Sequence, residues 1–236
     1  MEKFVNIFNM LNIQLTDDKM DKLIGYMTDI IELNQHINLT AITEREEFIQ
    51  KHYIDSLLCV ASDEFINAKD IIDVGTGGGF PGVPLAIAFP EKSFVLIDSL
   101  NKRIKVINDL CQKWNIDNVK AVHGRAEDLA RRKDMREEFD LCVSRAVANM
   151  STLCEYCLPF VRKGGSFIAY KGPDCDEEIR VAQNAIRALG GRFMRDEAPL
   201  SGSLPFDHKL IFIKKEKNTE SKFPRKAGTP SKEPIL

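Results

Sequence analysis

The run Asp73-Val74-Gly75-Thr76-Gly77-Gly78-Gly79-Phe80-Pro81-Gly82 constrains this chain more than any other feature, because it follows the apolar stretch Ile71-Ile72-Asp73-Val74 directly. A buried strand that runs into glycines and then a helix opens an α/β fold whose ligand sits at the carboxyl ends of the strands. Glycines there let the backbone approach a nucleoside and adopt positive φ. Pro81 and Pro84 suit the first turn of the following helix. The pattern continues along the chain. Phe94–Ile97, Val119–Val122, Phe139–Val143 and Ser166–Tyr170 read as strands, the last after the turn Lys163-Gly164-Gly165. Helical stretches such as Lys102–Trp114 lie between them. This alternation implies a parallel sheet buried on both faces. A helix over Glu177–Leu189, stopped by Gly190-Gly191, and two strands near Arg192–Ala198 and Lys209–Lys214 complete the domain.

Before Lys69 the spacing is helical. Phe4, Ile7, Phe8 and Leu11 mark an amphipathic helix rather than a signal peptide. Thr16-Asp17 suits an N-cap ahead of the stripe Met20, Leu23, Ile24, Met27, Ile30, Ile31 and Leu33. Thr43 followed by Glu46 is a capping-box pattern, opening a third helix through Phe48, Ile49, His52, Tyr53 and Leu57. The expected organisation is a helical extension over 1–65, a ligand-binding domain over 66–216, and an extended or mobile basic tail rich in Pro and Lys over 217–236.

Net charge is −2, so any case for nucleic acid must be local. No apolar run reaches the ~18 residues of a membrane helix. Six scattered cysteines make no disulfide framework. The lone pair Cys154 and Cys157 falls in a helical pattern far in sequence from His36, His52, His123 and His208. It reads as buried helix rather than zinc site, and the expectation is a reducing cytoplasm with no metal.

Which nucleoside the loop serves depends on its neighbours. Asp98 ends the second strand, where a carboxylate accepts from ribose hydroxyls in nicotinamide enzymes and methyltransferases alike. A GxGxxG match exists at Gly77, Gly79 and Gly82, but the tight turn should begin at Gly75, and in that register Phe80 stands where the third glycine belongs. No GK[ST] follows, which excludes a P-loop. Asp73 would meet a pyrophosphate unfavourably, yet suits a ligand carrying an ammonium and a sulfonium. After the third strand, Arg125-Ala126-Glu127-Asp128 offers polar groups to an adenine edge; the acids equally suit a helix N-terminus.

With these residues in place the sequence resembles the bacterial 16S ribosomal RNA guanine-N7 methyltransferases, also called glucose-inhibited division protein B. The resemblance spans nearly the whole chain. It includes Asn38-Leu39-Thr40-Ala41-Ile42, His52 with Asp55-Ser56, Asp73–Pro84, Asp98-Ser99 and Lys102-Arg103. It continues through Arg125-Ala126-Glu127, Ser144-Arg145-Ala146-Val147-Ala148, Lys171-Gly172 and Pro224-Arg225-Lys226. It implies a class I methyltransferase fold: a seven-stranded, mostly parallel sheet with an antiparallel last strand, helices on both faces and an N-terminal helical extension. It implies S-adenosylmethionine as cofactor, with contacts on Gly75, Phe80, Ala126, Glu127 and Arg145, beside the Asp73, Gly77 and Asp98 read above. It implies methylation of a guanine N7 in 16S ribosomal RNA, on the 30S subunit or its assembly intermediate; the expected state is a monomer. One departure stands out: many members carry an arginine just before the last strand, where this chain has His208-Lys209.

Guanine N7 has a free lone pair and no proton to remove, so alignment matters more than a general base. No catalytic acid or base is assigned. Accordingly the fourth strand ends in Ser144-Arg145-Ala146-Val147 rather than the Asn/Asp-Pro-Pro-aromatic motif of exocyclic amino methylation. Arg145 there suits a carboxylate, a phosphate or guanine O6, or a buried ion pair with the sheet-end carboxylates. Lys171, Arg225 and Lys226 are candidate RNA contacts. From Lys214 to Leu236 there are seven Lys/Arg against three acids, and Arg131, Arg132, Lys133 and Arg136 add a second basic patch. The rival readings are an NAD(P)-dependent oxidoreductase and a non-catalytic ribosome-binding module.

Overall fold

The computed structural model describes residues 5, 8–202 and 208–236. Phe4 and Ile7 of the expected first helix lie outside these residues; Phe8 and Leu11 are buried. Helix α1 (Asp17–Leu33) is capped by the Thr16 hydroxyl, which accepts from the Lys19 N–H at 3.3 Å. Helix α2 (Arg45–Phe48) is capped by Glu44, not Thr43: the Glu44 carboxylate accepts from the Glu47 N–H at 2.8 Å. A longer side chain one residue nearer the helix takes the donor. The chain then runs through a π-helical turn, Ile49–Ile54, into Asp55–Leu57.

Strands β1 (Asp70–Val74), β2 (Ser93–Asp98), β3 (Val119–His123), β4 (Phe139–Arg145), β5 (Val161–Lys171), β6 (Gly191–Glu197) and β7 (Lys209–Lys215) form one sheet in the order β3-β2-β1-β4-β5-β7-β6. Neighbours from β3 to β5 pair in parallel, while β7 runs antiparallel to β5 and β6. Strand order reverses between β1 and β4, which opens a crevice at their carboxyl ends. Successive strand residues serve opposite faces. Ile71, Leu96, Leu141 and Ile168 join a core with α1 and α2, α3 (Gly82–Ala88) and α4 (Asn101–Lys113). Ile72, Ile97, Cys142 and Phe167 face α5 (Ala126–Leu129), α6 (Met150–Cys157), α7 (Asp176–Val181) and α8 (Gln183–Ala188).

Three further expectations need correction. The Lys163-Gly164-Gly165 turn lies inside β5, which starts at Val161; Gly164, at φ +88, and a register shift opposite Phe139 and Leu141 absorb it as an irregularity in a continuous strand. The helix over 177–189 is two helices, because Ala182 adopts ψ −5 between them. The tail is packed against the domain rather than extended from it. It docks along the sheet's second face, buries Phe223, and forms the short helix α9 (Thr229–Lys232).

Candidate cofactor cleft and the arginine cluster beside it

The glycine loop is closed by its own acid. Asp73 is fully buried; its Oδ2 accepts from the Thr76 hydroxyl at 2.6 Å and the Gly82 N–H at 2.9 Å, while Oδ1 has no partner. Burial pushes its carboxyl up to about 7, against the hydrogen bonds that favour the anion. The N-terminus of α3, where a dinucleotide's pyrophosphate would rest, is therefore already taken by a carboxylate. Gly75 sits at φ +77, and a Cβ there would lie 2.4 Å from Val147 Cγ2, so any side chain would strain the backbone and displace Val147. Asp98 accepts from the Gly77 N–H at 3.0 Å and the Leu100 N–H at 2.8 Å, with Arg103 at 3.3 Å.

A cleft of about 280 Å³ opens over the carboxyl ends of β1, β2 and β3, lined by Gly75, Asp98, Ala126, Glu127, Tyr156 and Gly228 among others. Four residues expected at the cofactor thus meet around one cavity. Glu127 is 6% exposed, and its Oε1 accepts from the Gly228 N–H at 2.9 Å. Asp128 is exposed in the first turn of α5, as a helix-terminus acid would be. Asp73, Gly77, Phe80 and Arg145 do not line the cleft.

Phe80 and Arg145 belong to a second cluster, on the side of the helical extension. The Phe80 ring stacks on His52 at 4.3 Å with a 4° interplanar angle. Arg145 donates to Lys51 O at 2.7 Å, to Asp55 Oδ2 at 2.5 Å and to His52 Nδ1 at 2.9 Å. Asp55 Oδ1 lies 2.6 Å from His208 Nδ1. The Arg145 ion pair is therefore real, but its carboxylate comes from the extension rather than from the sheet-end acids. His208, at the position where the resemblance leads one to expect an arginine, bonds the same carboxylate. Burial and the Arg145 charge pull His52 down to about 3, so its ring is neutral. With Nδ1 accepting from Arg145, Nε2 carries the proton and donates to Thr40 Oγ1 at 2.6 Å. Burial pushes Asp55 up, but the His208 hydrogen bond and the Arg145 charge outweigh it and hold the carboxyl below its ordinary value.

The residues expected at RNA are mostly engaged within the protein. Lys171 donates to Glu178 at 2.5 Å and to Ala148 O at 2.8 Å. Arg225 grips Glu155, with Nη2 at 2.7 Å and Nε at 3.0 Å. Arg131 donates to Pro224 O at 2.5 Å, and Arg136 donates to Phe223 O at 2.9 Å and Thr219 O at 2.8 Å, so the two basic patches are stitched to each other. Lys226 is exposed. Tyr156, Gly228 and Glu155 had no part in the sequence reading. Glu155 carried a usable signal: an acid inside the otherwise apolar or small stretch Met150–Cys157 demands a cation once that helix is buried. Among the described residues no cluster of His, Cys, Asp and Glu could hold a metal ion, and no helix is long and apolar enough to cross a membrane.

Comparison with known proteins adds three findings. The model of the GidB family, rRNA small subunit methyltransferase G, matches residues 19–195. The ribosomal RNA small subunit methyltransferase G of Alkaliphilus oremlandii is 50% identical over 228 residues, covering 95% of this chain and 94% of that protein. The protein of the same name from Clostridium novyi is 44% identical, with 99% and 98% covered. Among solved structures, the O-methyltransferase from Bacillus cereus in complex with SAH superimposes with a TM-score of 0.56 at 18% identity, over 81% of this chain and 91% of that one. That likeness speaks to the fold alone.

Proposed function

The chain belongs to the GidB family, rRNA small subunit methyltransferase G, and on that premise we propose that it transfers a methyl group from S-adenosylmethionine to N7 of a guanine in 16S ribosomal RNA. The reading is carried by the cleft that gathers Gly75, Asp98, Ala126 and Glu127 at the strand ends, next to a loop whose phosphate position Asp73 already fills. The residues present fit the cofactor. Asp73 Oδ1, buried without a partner two residues before Gly75, would suit a cationic methionine head, and Asp98 would suit the ribose hydroxyls once it exchanges its bond with Arg103. Glu127 and Ala126, which line the same cleft, would meet the adenine end.

When bound, S-adenosylmethionine supplies an electrophilic methyl group on a sulfonium. The protein's part is positioning. Gly75 would let the protein backbone come close to the ligand, the loop N–H of Gly77 keeps Asp98 oriented, and Arg145 ends β4, where an incoming guanine would arrive. No base is needed, because N7 arrives with a free lone pair; holding it in line supplies most of the acceleration. The target base is unpaired or turned out to reach such a cleft. The substrate is the 30S subunit or its assembly intermediate, the enzyme acts as a monomer in the cytoplasm, and no metal takes part.

Incubation with methyl-labelled cofactor and 30S particles lacking the modification is the direct test. Label at a guanine N7 of 16S ribosomal RNA is the expected result. Particle binding without label would leave a ribosome-binding module, and calorimetric binding of NAD without S-adenosylmethionine would leave an oxidoreductase.

A further inference from the structure

The segment after the last strand is built into the molecule rather than held out as a basic arm. Between Phe223 and Ser231 it lies against α6 and α5. Arg225 donates its backbone N–H at 2.7 Å and its guanidinium to Glu155, and every hydrogen bond to Glu155 among the described residues comes from Arg225. Glu155 is fully buried, so this fork neutralises a charge that has no access to water. Thr152, also on α6, donates to Pro230 O at 2.9 Å. Arg131 and Arg136 hold the carbonyls of Pro224 and Phe223 from the α5 side.

These anchors bracket Gly228. It lines the cleft at φ +84, and its N–H fixes Glu127 Oε1 at 2.9 Å. Tyr156, next to Glu155 on α6, lines the same cleft. With Oε1 held by the tail, Oε2 is left for a ligand. We propose that the segment Phe223–Ser231 is a wall of the cofactor site, and that Arg225, acting through Gly228, is a positioning residue that orients Glu127 to recognise the adenine edge. The inference rests on the methyltransferase reading above. An adenine presents an exocyclic N–H₂ that a carboxylate accepts; a hypoxanthine presents a carbonyl oxygen there, which a fixed carboxylate repels. Arg225 therefore serves base selectivity in the cofactor, and not the RNA backbone.

Calorimetric titration of the full chain with S-adenosylhomocysteine and with S-inosylhomocysteine tests this. The unaltered protein should prefer the adenine ligand by at least about tenfold, the scale of one lost buried hydrogen bond. Arg225→Ala should weaken the adenine ligand about tenfold and the inosine ligand less than about twofold, so that the preference collapses. Arg225→Lys should restore part of it. Gly228→Ala keeps the Arg225–Glu155 anchor, adds a Cβ into open space but at positive φ, and should show the same selective loss; it carries the test alone where Arg225→Ala does not fold. An unchanged preference in the folded variants, or equal losses for both ligands, overturns the inference. So does normal cofactor affinity combined with a shallower salt dependence of RNA binding, the mark of a phosphate contact. Failure of the unaltered protein to bind either ligand sinks the methyltransferase reading and this inference with it; normal binding with unaltered selectivity in the variants sinks this inference alone.

Discussion

Arg145 and Arg225 each reach a buried carboxylate on another element, and they hold it in opposite ways. Arg225 gives its guanidinium and its backbone N–H to one partner, Glu155. Arg145 divides its donors among Lys51 O, the His52 ring and Asp55, and Asp55 in turn divides its oxygens between Arg145 and His208. A fork on a single partner fixes geometry. A shared one can give up a contact to an arriving carboxylate, phosphate or guanine without leaving a buried charge bare. On the proposed reading, the first arrangement suits a scaffold under the Gly228 side of the cleft, and the second suits a place that must admit a charged or polar ligand. Asp73 shows what happens without either arrangement: with no arginine of its own, burial wins and its carboxyl rises to about 7, whereas Asp55 stays below its ordinary value.

The contrast is broken most sharply by Arg145→Ala. Asp55 then stays buried with His208 alone, and about 3 kcal/mol of stability should go in urea melts. Single-turnover methylation of 30S particles should fall by about 100-fold or more; retained turnover would remove Arg145 from the site. Glu155→Gln is milder. The Arg225 side chain is 27% exposed and can turn to water, so the loss should be about 1–2 kcal/mol by the same melts. Two buried groups should then give pH slopes of opposite sign. Asp73 holds its proton to higher pH when folded, so its share of stability falls as pH rises from 3.8 to about 7, and Asp73→Asn should flatten that fall. His52 refuses its proton when folded, so its share is complete above 6.5 and is lost as pH falls toward about 3; His52→Gln should flatten that limb. Melts at pH 4, 5, 6 and 7 separate the two, and slopes of the same sign would contradict the assignments. Smallest of all is Arg132→Ala: its pair with Asp134 stands in solvent, and no measurable change in stability is expected.

Much of the frame was legible because it is local. Strand ends, the αβ alternation and the turn at Gly75 follow from periodicity and from glycine's backbone freedom, and Gly75, Asp98, Ala126 and Glu127 meet because parallel strands present their ends together. What was not legible is tertiary. Nothing near Arg145 in the chain points to Asp55, ninety residues away, or to His208 beyond it. Charge counting misled in the tail and the patch beside it, since it cannot tell a cation in solvent from one whose donors are taken within the protein; Arg131 and Arg136 spend theirs on backbone carbonyls, and Arg225 on the buried Glu155. Phe80 stands where a third glycine was sought, and its ring turns to His52 rather than to the cleft, a choice set by the aromatic cluster of the extension. The break at Ala182 and the cap at Glu44 were lost for a smaller reason: element ends depend on single side chains that periodicity averages away.

The docked tail also changes how damage to the reading frame should be judged. A stop codon just after Lys215 spares all seven strands, the glycine loop and both Asp98 and Glu127. It nonetheless strips Gly228 from the cleft and leaves Glu155 a bare charge inside the second core. In a screen for inactive alleles, late nonsense and frameshift mutations in this segment should score with missense changes at Gly75, although no strand of the sheet has been touched.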